Sequence, residues 1–359
     1  MSLLKHAGEV ILKLVYGYNI EHHTNDALVS LADRTMQQFT LAIVPGAWIV
    51  DILPFLRCLP SWFPGAGFKK TASDWAKSLS DSGHIPYEFT KRPTAAGKVR
   101  DSFVARSIQQ AEKDFNTKSL SKDEEGIIQW TALTLYLGGA DTTVETLHSV
   151  YLAMAMFPNV QRKAQEEIDR VFGTSRLPGY EDRSNLPYIN NVVLEAQRWH
   201  PIAPLGGPHV SNEEDSISGY RIPKSAILLP AVWWFTRDPE VYHDAEEFKP
   251  ERYAAPYDEP SPTDVTFGFG RRICPGRYLA DSIMFLTIVQ SLAVFRISKA
   301  PSQDGKSNDL KHEFRPGMIS AVAPFDVLIQ PRSAQHEALI EDTMTRFPWE
   351  KSDQEALNL

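Results

Sequence analysis

Apolar residues recur at helical spacing at Val10, Leu14, Val15 and Tyr18, and again at Leu28, Leu31 and Ala32. The spacing predicts two helices joined by the polar link from Asn19 to Asp26. From Val44 to Lys69 the period disappears, and the prolines and glycines of Trp62-Phe-Pro-Gly-Ala-Gly-Phe68 predict a loop rich in aromatic residues. Such a loop can dip into a membrane surface if exposed; packing against the protein itself is the expectation. Helical pattern returns from Thr71 to Phe89 and from Asp101 to Asn116. Ser121 to Met156 reads as one long core helix. Ser121 and Glu124 form a capping box, and Ile127, Ile128, Leu133, Leu135, Leu137, Leu147, Val150 and Leu152 make it apolar on most sides.

Pro158 is suited to open the next helix and Gly173 to close it. A further helix spans Leu186 to Trp199 and stops at Pro201. Strands are expected at Ser216 to Ile222 and Ala226 to Val232, with Pro223-Lys224 as their turn. Thr236 to Thr266 is Pro-rich and aperiodic, a loop or meander. A last long helix follows Gly276, and Lys299 to Gln330 reads as strands and turns. The fold class is mainly α with small β-sheets. No Ser/Gly-rich linker or charge block divides the 359 residues, so a single domain is the simpler reading.

Composition narrows the partners. The net charge is −8, and the basic residues lie on no one periodic face, which argues against nucleic acid. The only cysteines are Cys58 and Cys274, too few for a disulfide framework in a chain this long. Cys58 is expected to be a small buried thiol. The N-terminus has no signal-peptide pattern, and Pro45, Asp51 and Pro54 interrupt the longest apolar stretch, Phe39 to Leu56. No membrane anchor is therefore expected within this chain.

The most informative segment is Phe267-Gly-Phe-Gly-Arg-Arg-Ile-Cys-Pro-Gly276, which sets a cysteine between a glycine-bearing loop and the start of an apolar helix. Small residues let backbone N–H groups approach the sulfur, and the helix N-terminus adds partial positive charge, the setting of a thiolate ligand. A buried free cysteine would leave the glycines and paired arginines unexplained. Structural zinc takes four Cys/His ligands at short spacing, and no such cluster surrounds Cys274; a single thiolate suits heme.

A second constellation, Gly138-Gly-Ala-Asp-Thr-Thr143, lies inside the long helix. Two adjacent glycines there cost about 1 kcal/mol each relative to alanine, so a neighbour that needs the bare backbone at Gly138 and Gly139 is expected, as a flat cofactor or bound O2 would. Asp141 and Thr142 supply an acid and a hydroxyl for proton delivery. Close helix packing, with Thr142 bonded back to a carbonyl, is the structural alternative. Glu195 and Arg198, three apart on one helical face, read by themselves as a solvated pair.

These segments resemble the cytochrome P-450 superfamily. The signature F-x-x-G-x-R-x-C-x-G is matched at Phe267, Gly270, Arg272, Cys274 and Gly276, and the oxygen-activation motif [AG]-G-x-[DE]-T at Gly138 to Thr142. The resemblance implies heme b (iron protoporphyrin IX) with Cys274 as iron ligand, and Arg272 and His209 meeting its propionates. It implies that Asp141 and Thr142 are catalytic, and that Glu195, Arg198 and Arg252 form the family's buried structural triad. Ala203 to Gly207 would border the substrate cavity. The implied activity is a monooxygenase that uses O2, a lipophilic substrate and electrons from NADPH through NADPH-cytochrome P-450 reductase, at the cytosolic face of the endoplasmic reticulum. Trp62 to Lys69, Arg198 to Leu205 and Phe267 to Leu279 look like the fungal branch that includes O-methylsterigmatocystin oxidoreductase, which points to secondary metabolism or oxidation of foreign compounds.

Family members carry, ahead of the matched region, an anchor helix, the first sheet strands and a helix with W-x-x-x-R. Neither Trp48 nor Trp62 has an arginine four residues on. The fold is thus expected to be N-terminally truncated, with a non-catalytic remnant that binds heme weakly or not at all as the alternative to the enzyme.

Overall fold

A computed structural model describes residues 3–44, 46–92, 100–116, 119–301, 309–315 and 317–357. They cluster into two compact units, one of residues 1–144 with 348–359 and the other of residues 145–347.

The first unit is helical: α1 (Leu3–Tyr16), α2 (Ala27–Ala42), the single turn α3 (Ile49–Ile52), α4 (Gly67–Lys91), α5 (Phe103–Asp114) and the first part of α6 (Lys122–Met156). The link between α1 and α2 is ordered by Asp26. Its carboxylate accepts from the N–H groups of Leu28 and Val29, capping α2, and from the Tyr18 hydroxyl at 2.8 Å. Ser121 and Glu124 form the expected capping box at the start of α6. Tyr136 of α6 donates to the Leu28 carbonyl, tying α6 to the start of α2. The tail from Pro348 also belongs to this unit: Trp349 stacks on His22 and Gln354 accepts from Ala27 N–H.

The second unit contains α7 (Pro158–Phe172), α8 (Pro187–Trp199) and two small antiparallel pairs, β1 (His209–Val210) with β4 (Ile227–Leu228) and β2 (Asp215–Ile217) with β3 (Tyr220–Ile222). There follow α9 (Val232–Phe235), a 3₁₀ turn at Pro250–Tyr253, α10 (Thr263–Thr266) and α11 (Arg277–Val294). After α11 come β5 (Phe295–Lys299), β6 (Phe314–Arg315), β7 (Ala321–Val322), β8 (Val327–Pro331) and α12 (Ala334–Arg346), with β5 paired to β8 and β6 to β7. The core forms where α11 packs on α7 and α8, burying Phe285, Ile288 and Val289 against Ile189, Val192 and Val193. α11 is the one described helix with the length and composition of a membrane span, yet those side chains are core. Pro158 opens α7, and Gly173, at φ +57°, closes it.

Several expectations are corrected. Ser216 to Ile222 is a hairpin with its turn at Ser218-Gly219, both at positive φ, as a two-residue turn of this type requires. The turn expected at Pro223-Lys224 is present, closed by Ala226 N–H donating to the Pro223 carbonyl at 3.2 Å, but the strands it links do not pair, since β4 pairs back to β1. Both faces of these strands are exposed, so no alternation marked the break. The 44–69 segment holds α3 and a 3₁₀ turn at Pro54–Cys58 that buries none of its residues. Cys58 is consequently exposed rather than buried. The aromatic residues there do not all pack inward: Trp48 meets Trp75, but Trp62 is 80% exposed. Ile127 is exposed as well, although its neighbour Ile128 is buried, so this end of α6 has one buried and one exposed face. Helix α12 lies beyond the strands expected to close the chain.

Candidate functional site

The cysteine loop is made by two departures from regular backbone. Phe267 ends α10, Gly268 and Gly270 take φ of +80° and +56°, and a 3₁₀ turn at Gly270–Arg272 delivers the chain to Cys274. The left-handed conformations are costly for any side chain, so both positions need glycine. The loop closes where Cys274 N–H donates to the Phe267 carbonyl at 2.8 Å. Two residues later Gly276 stands at the N-cap of α11, and a Cβ placed there would lie 3.8 Å from the Cys274 sulfur. Cys274 is half-buried and in no disulfide. Arg271 and Arg272 are exposed, Phe267 is half-buried, and nothing lies within 4 Å of where a Gly270 side chain would sit.

Among the described residues no group of three or more His, Cys, Asp or Glu is arranged to hold a metal ion. A cofactor that brings four equatorial ligands of its own needs only one more donor. The donor set therefore suits heme: one half-buried thiol at a helix start, a bare glycine surface beside it, and exposed arginine for acidic side groups. α9 packs against α10, just ahead of the loop, and leaves Trp233 and Trp234 40% and 51% exposed, apolar surface of the kind a flat cofactor covers. His209 lies on β1, opposite Leu228, with its side chain exposed.

The triad residues meet in the core of the second unit. Arg198 makes a two-pronged bond to Glu195, Nε to Oε2 at 2.9 Å and Nη2 to Oε1 at 2.8 Å. Arg252 Nε reaches the same carboxylate at 3.0 Å, and all three side chains are fully buried. The remaining valences are taken by partners the sequence did not disclose. Lys249 N–H and the Tyr253 hydroxyl donate to Glu195, Arg198 donates to the Thr236 and Glu247 carbonyls, and Arg252 donates to the His243 carbonyl and to Glu259. Burial by itself would raise the Glu259 pKa, but the bonds from Arg252 and His243 outweigh it and hold the carboxyl below its ordinary value. Glu259 stands seven residues beyond Arg252 in a Pro-containing stretch without α-helix or strand, so their meeting follows no local period.

The glycine-acid-threonine group lies in the first unit, within α6. Thr142 Oγ1 donates to the Gly138 carbonyl at 2.7 Å, the back-bond of the structural alternative. Gly139 has a packing reason of its own, since a Cβ there would come 3.0 Å from Ile11 Cδ1. Gly138 has no such neighbour: its missing side chain faces open space. Asp141 lines a small crevice of this unit with Met36, Leu137 and Ala140.

A helical protein with a half-buried cysteine at the end of a glycine loop, and a buried Glu–Arg–Arg cluster in the same unit, has the features expected of the heme-thiolate class. The comparisons give the family: a profile described as cytochrome P450 matches residues 3–325, and the chain belongs to that family. It is 43% identical over 337 residues to the multifunctional cytochrome P450 monooxygenase af510 of Aspergillus fumigatus, covering 93% of this chain and 63% of that protein. It is 45% identical to the cytochrome P450 monooxygenase claR of Ampulloclitocybe clavipes, covering 95% and 63%. With O-methylsterigmatocystin oxidoreductase of Aspergillus flavus the identity is 41%, over 97% of this chain and 65% of the relative. The chain thus spans a little under two thirds of the length of these relatives.

Proposed function

We propose that the chain is the heme-bearing part of a monooxygenase that inserts one oxygen atom from O2 into a lipophilic compound, with electrons from NADPH through cytochrome P-450 reductase. The cysteine loop is the observation that carries the reading. Cys274 would ligate heme b, Arg272 and His209 would pair with its propionates, and Phe267, Gly270, Gly276 and Gly138 would lie against it, beside Gly139. When bound, the heme supplies electron transfer and O2 activation, chemistry that no side chain supplies.

The chain's own residues do the rest. Glu195, Arg198 and Arg252 hold α8 to the 243–259 meander. Asp141 and Thr142 would handle protons: the Thr142 hydrogen rests on the Gly138 carbonyl, so the hydroxyl must swing off it to pass a proton onward, with Asp141 to resupply it. The fungal relatives fit a role in secondary metabolism or the oxidation of foreign compounds, and the family resemblance points to the endoplasmic reticulum membrane.

The test is the reduced, carbon-monoxide difference spectrum of the heme-loaded chain. A strongly red-shifted Soret band is expected, and it should disappear in Cys274→Ala. A folded, heme-replete sample without that band would overturn the reading.

A further inference from the structure

The second unit holds a pair of histidines, one buried and one half-buried, that the proposed chemistry does not use. His200 follows Trp199 at the end of α8 and is 3% exposed. Its Nε2 lies 3.0 Å from the Ser320 carbonyl and its Nδ1 lies 3.1 Å from Nε2 of His312. His312 stacks on Trp199 with ring centroids 3.7 Å apart.

The protons can be placed. A carbonyl only accepts, so His200 Nε2 carries a hydrogen. Nδ1 is then either a bare acceptor in a neutral ring or a second donor in an imidazolium. The groups facing the pair are Arg237 and Arg198, both cationic, the rings of Trp199 and Phe314, and Glu145 as the one acid acting on His200. Burial, His200 and the two arginines push His312 down to about 3. Burial also lowers His200, against the pull of the Ser320 bond and Glu145. Both rings are thus neutral, and His312 Nε2–H donates to His200 Nδ1.

What the bond holds is the wall after α8. Ser320 is pinned twice, its N–H donating to the Ile202 carbonyl at 2.8 Å and its own carbonyl accepting from His200. The chain from Ile202 continues to Gly206, at φ +55°, where a Cβ would come 2.4 Å from Pro230. Pro204 is fixed too, its carbonyl accepting from Trp233 N–H. We propose that His312, acting through His200, is a positioning residue that fixes Ser320 against the Ile202–Gly207 segment, and with it the size of ligand the site admits. This rests on the reading of 203–207 as a border of the substrate cavity.

Two azoles that bind heme iron, imidazole and the bulkier 4-phenylimidazole, are titrated optically into heme-loaded protein. Only samples that show the thiolate carbon-monoxide band are used, so loss of that band is a failure of the cofactor reading and not of the pair. His312→Phe keeps a ring on Trp199 but removes the donor, whereas His312→Gln restores an N–H. The loss of one buried hydrogen bond should change the 4-phenylimidazole dissociation constant by up to about tenfold in His312→Phe, leave imidazole nearly unchanged, and be partly rescued in His312→Gln. Equal changes for both azoles, or none, would overturn the proposal. Should His312→Phe fail to fold, nitrogen-15 spectra of the wild-type histidines still decide: both rings should be neutral with hydrogen on Nε2 at about pH 8, above the ordinary histidine range, and an imidazolium in either would refute it.

Discussion

The triad and the cysteine loop occupy the same unit and both use arginine, yet they are opposites in saturation. Glu195 is fully buried and receives bonds from Arg198, Arg252, Lys249 and Tyr253. The cysteine loop is held by few bonds, keeps its sulfur half-buried, and leaves Arg271 and Arg272 exposed. A buried charge must find every partner within the fold, because a missing one costs its full desolvation. A ligand-binding group must do the reverse and keep its bonding capacity for something that is not protein. The difference teaches that stability and cofactor chemistry are assigned to separate residues here, and mutations should separate them.

The largest effect is expected at Glu195. Glu195→Ala strands two arginines with no exposed surface and should cost about 3–5 kcal/mol, enough to leave little folded protein. Chemical denaturation, or expression yield where no fold remains, measures it. A variant of near-normal stability would show that the arginines find other partners and that the contrast with the loop is false.

Next comes Glu259. Its folded pKa lies below the ordinary 4.5, so its contribution is fully present above that value and is lost as pH falls through the lowered one. Glu259→Gln should be less stable than the parent by about 1.5–3 kcal/mol near neutrality, the range for a hydrogen bond to a charged group. It should also lose less stability than the parent on acidification below about pH 4.5. Parallel acid profiles would place the acid sensitivity elsewhere.

How far sequence carried this contrast depends on the residue. The cysteine loop was legible because its glycines, arginines and cysteine are contiguous, and local backbone needs fix their order. The long α6 was legible from its capping box and its length. Glu195 and Arg198 by themselves read as a surface pair; only the family resemblance joined Arg252 to them. Glu259, Tyr253 and Lys249 N–H came from tertiary folding of the meander, which has no period to read. The hairpin at Ser218-Gly219 was hidden for another reason: strands exposed on both faces leave no alternation, so two of them look like one. His200 and His312 are 112 residues apart, and no local pattern links them.

A smaller effect is expected in the loop backbone. Gly270 sits at φ +56° with open space where a side chain would go, so Gly270→Ala meets no clash and suffers only the left-handed penalty, about 1–2 kcal/mol. The sharper readout is heme content, because a Cβ at 270 would occupy space that the proposed cofactor needs. A variant that loses stability but keeps its heme would mean that the glycine serves the turn alone.

The smallest effect on folding, and the cleanest separation of the two regions, is expected at Arg272. Its guanidinium is exposed, and the loop it belongs to closes through the backbone bond from Cys274 to Phe267. Removing an exposed side chain away from the core typically changes stability by less than about 0.5 kcal/mol, so Arg272→Ala without cofactor should unfold at nearly the parent's denaturant concentration. If the arginine pairs with a heme propionate, the same variant should lose heme to a competing acceptor such as apomyoglobin faster than the parent does, and Arg272→Lys should recover part of the difference because it keeps the charge but not the planar fork. The two measurements are independent, one made without cofactor and one with it. A drop in cofactor-free stability with unchanged heme retention would reverse the assignment, making Arg272 a structural residue like Arg252 and leaving the propionates to other cations.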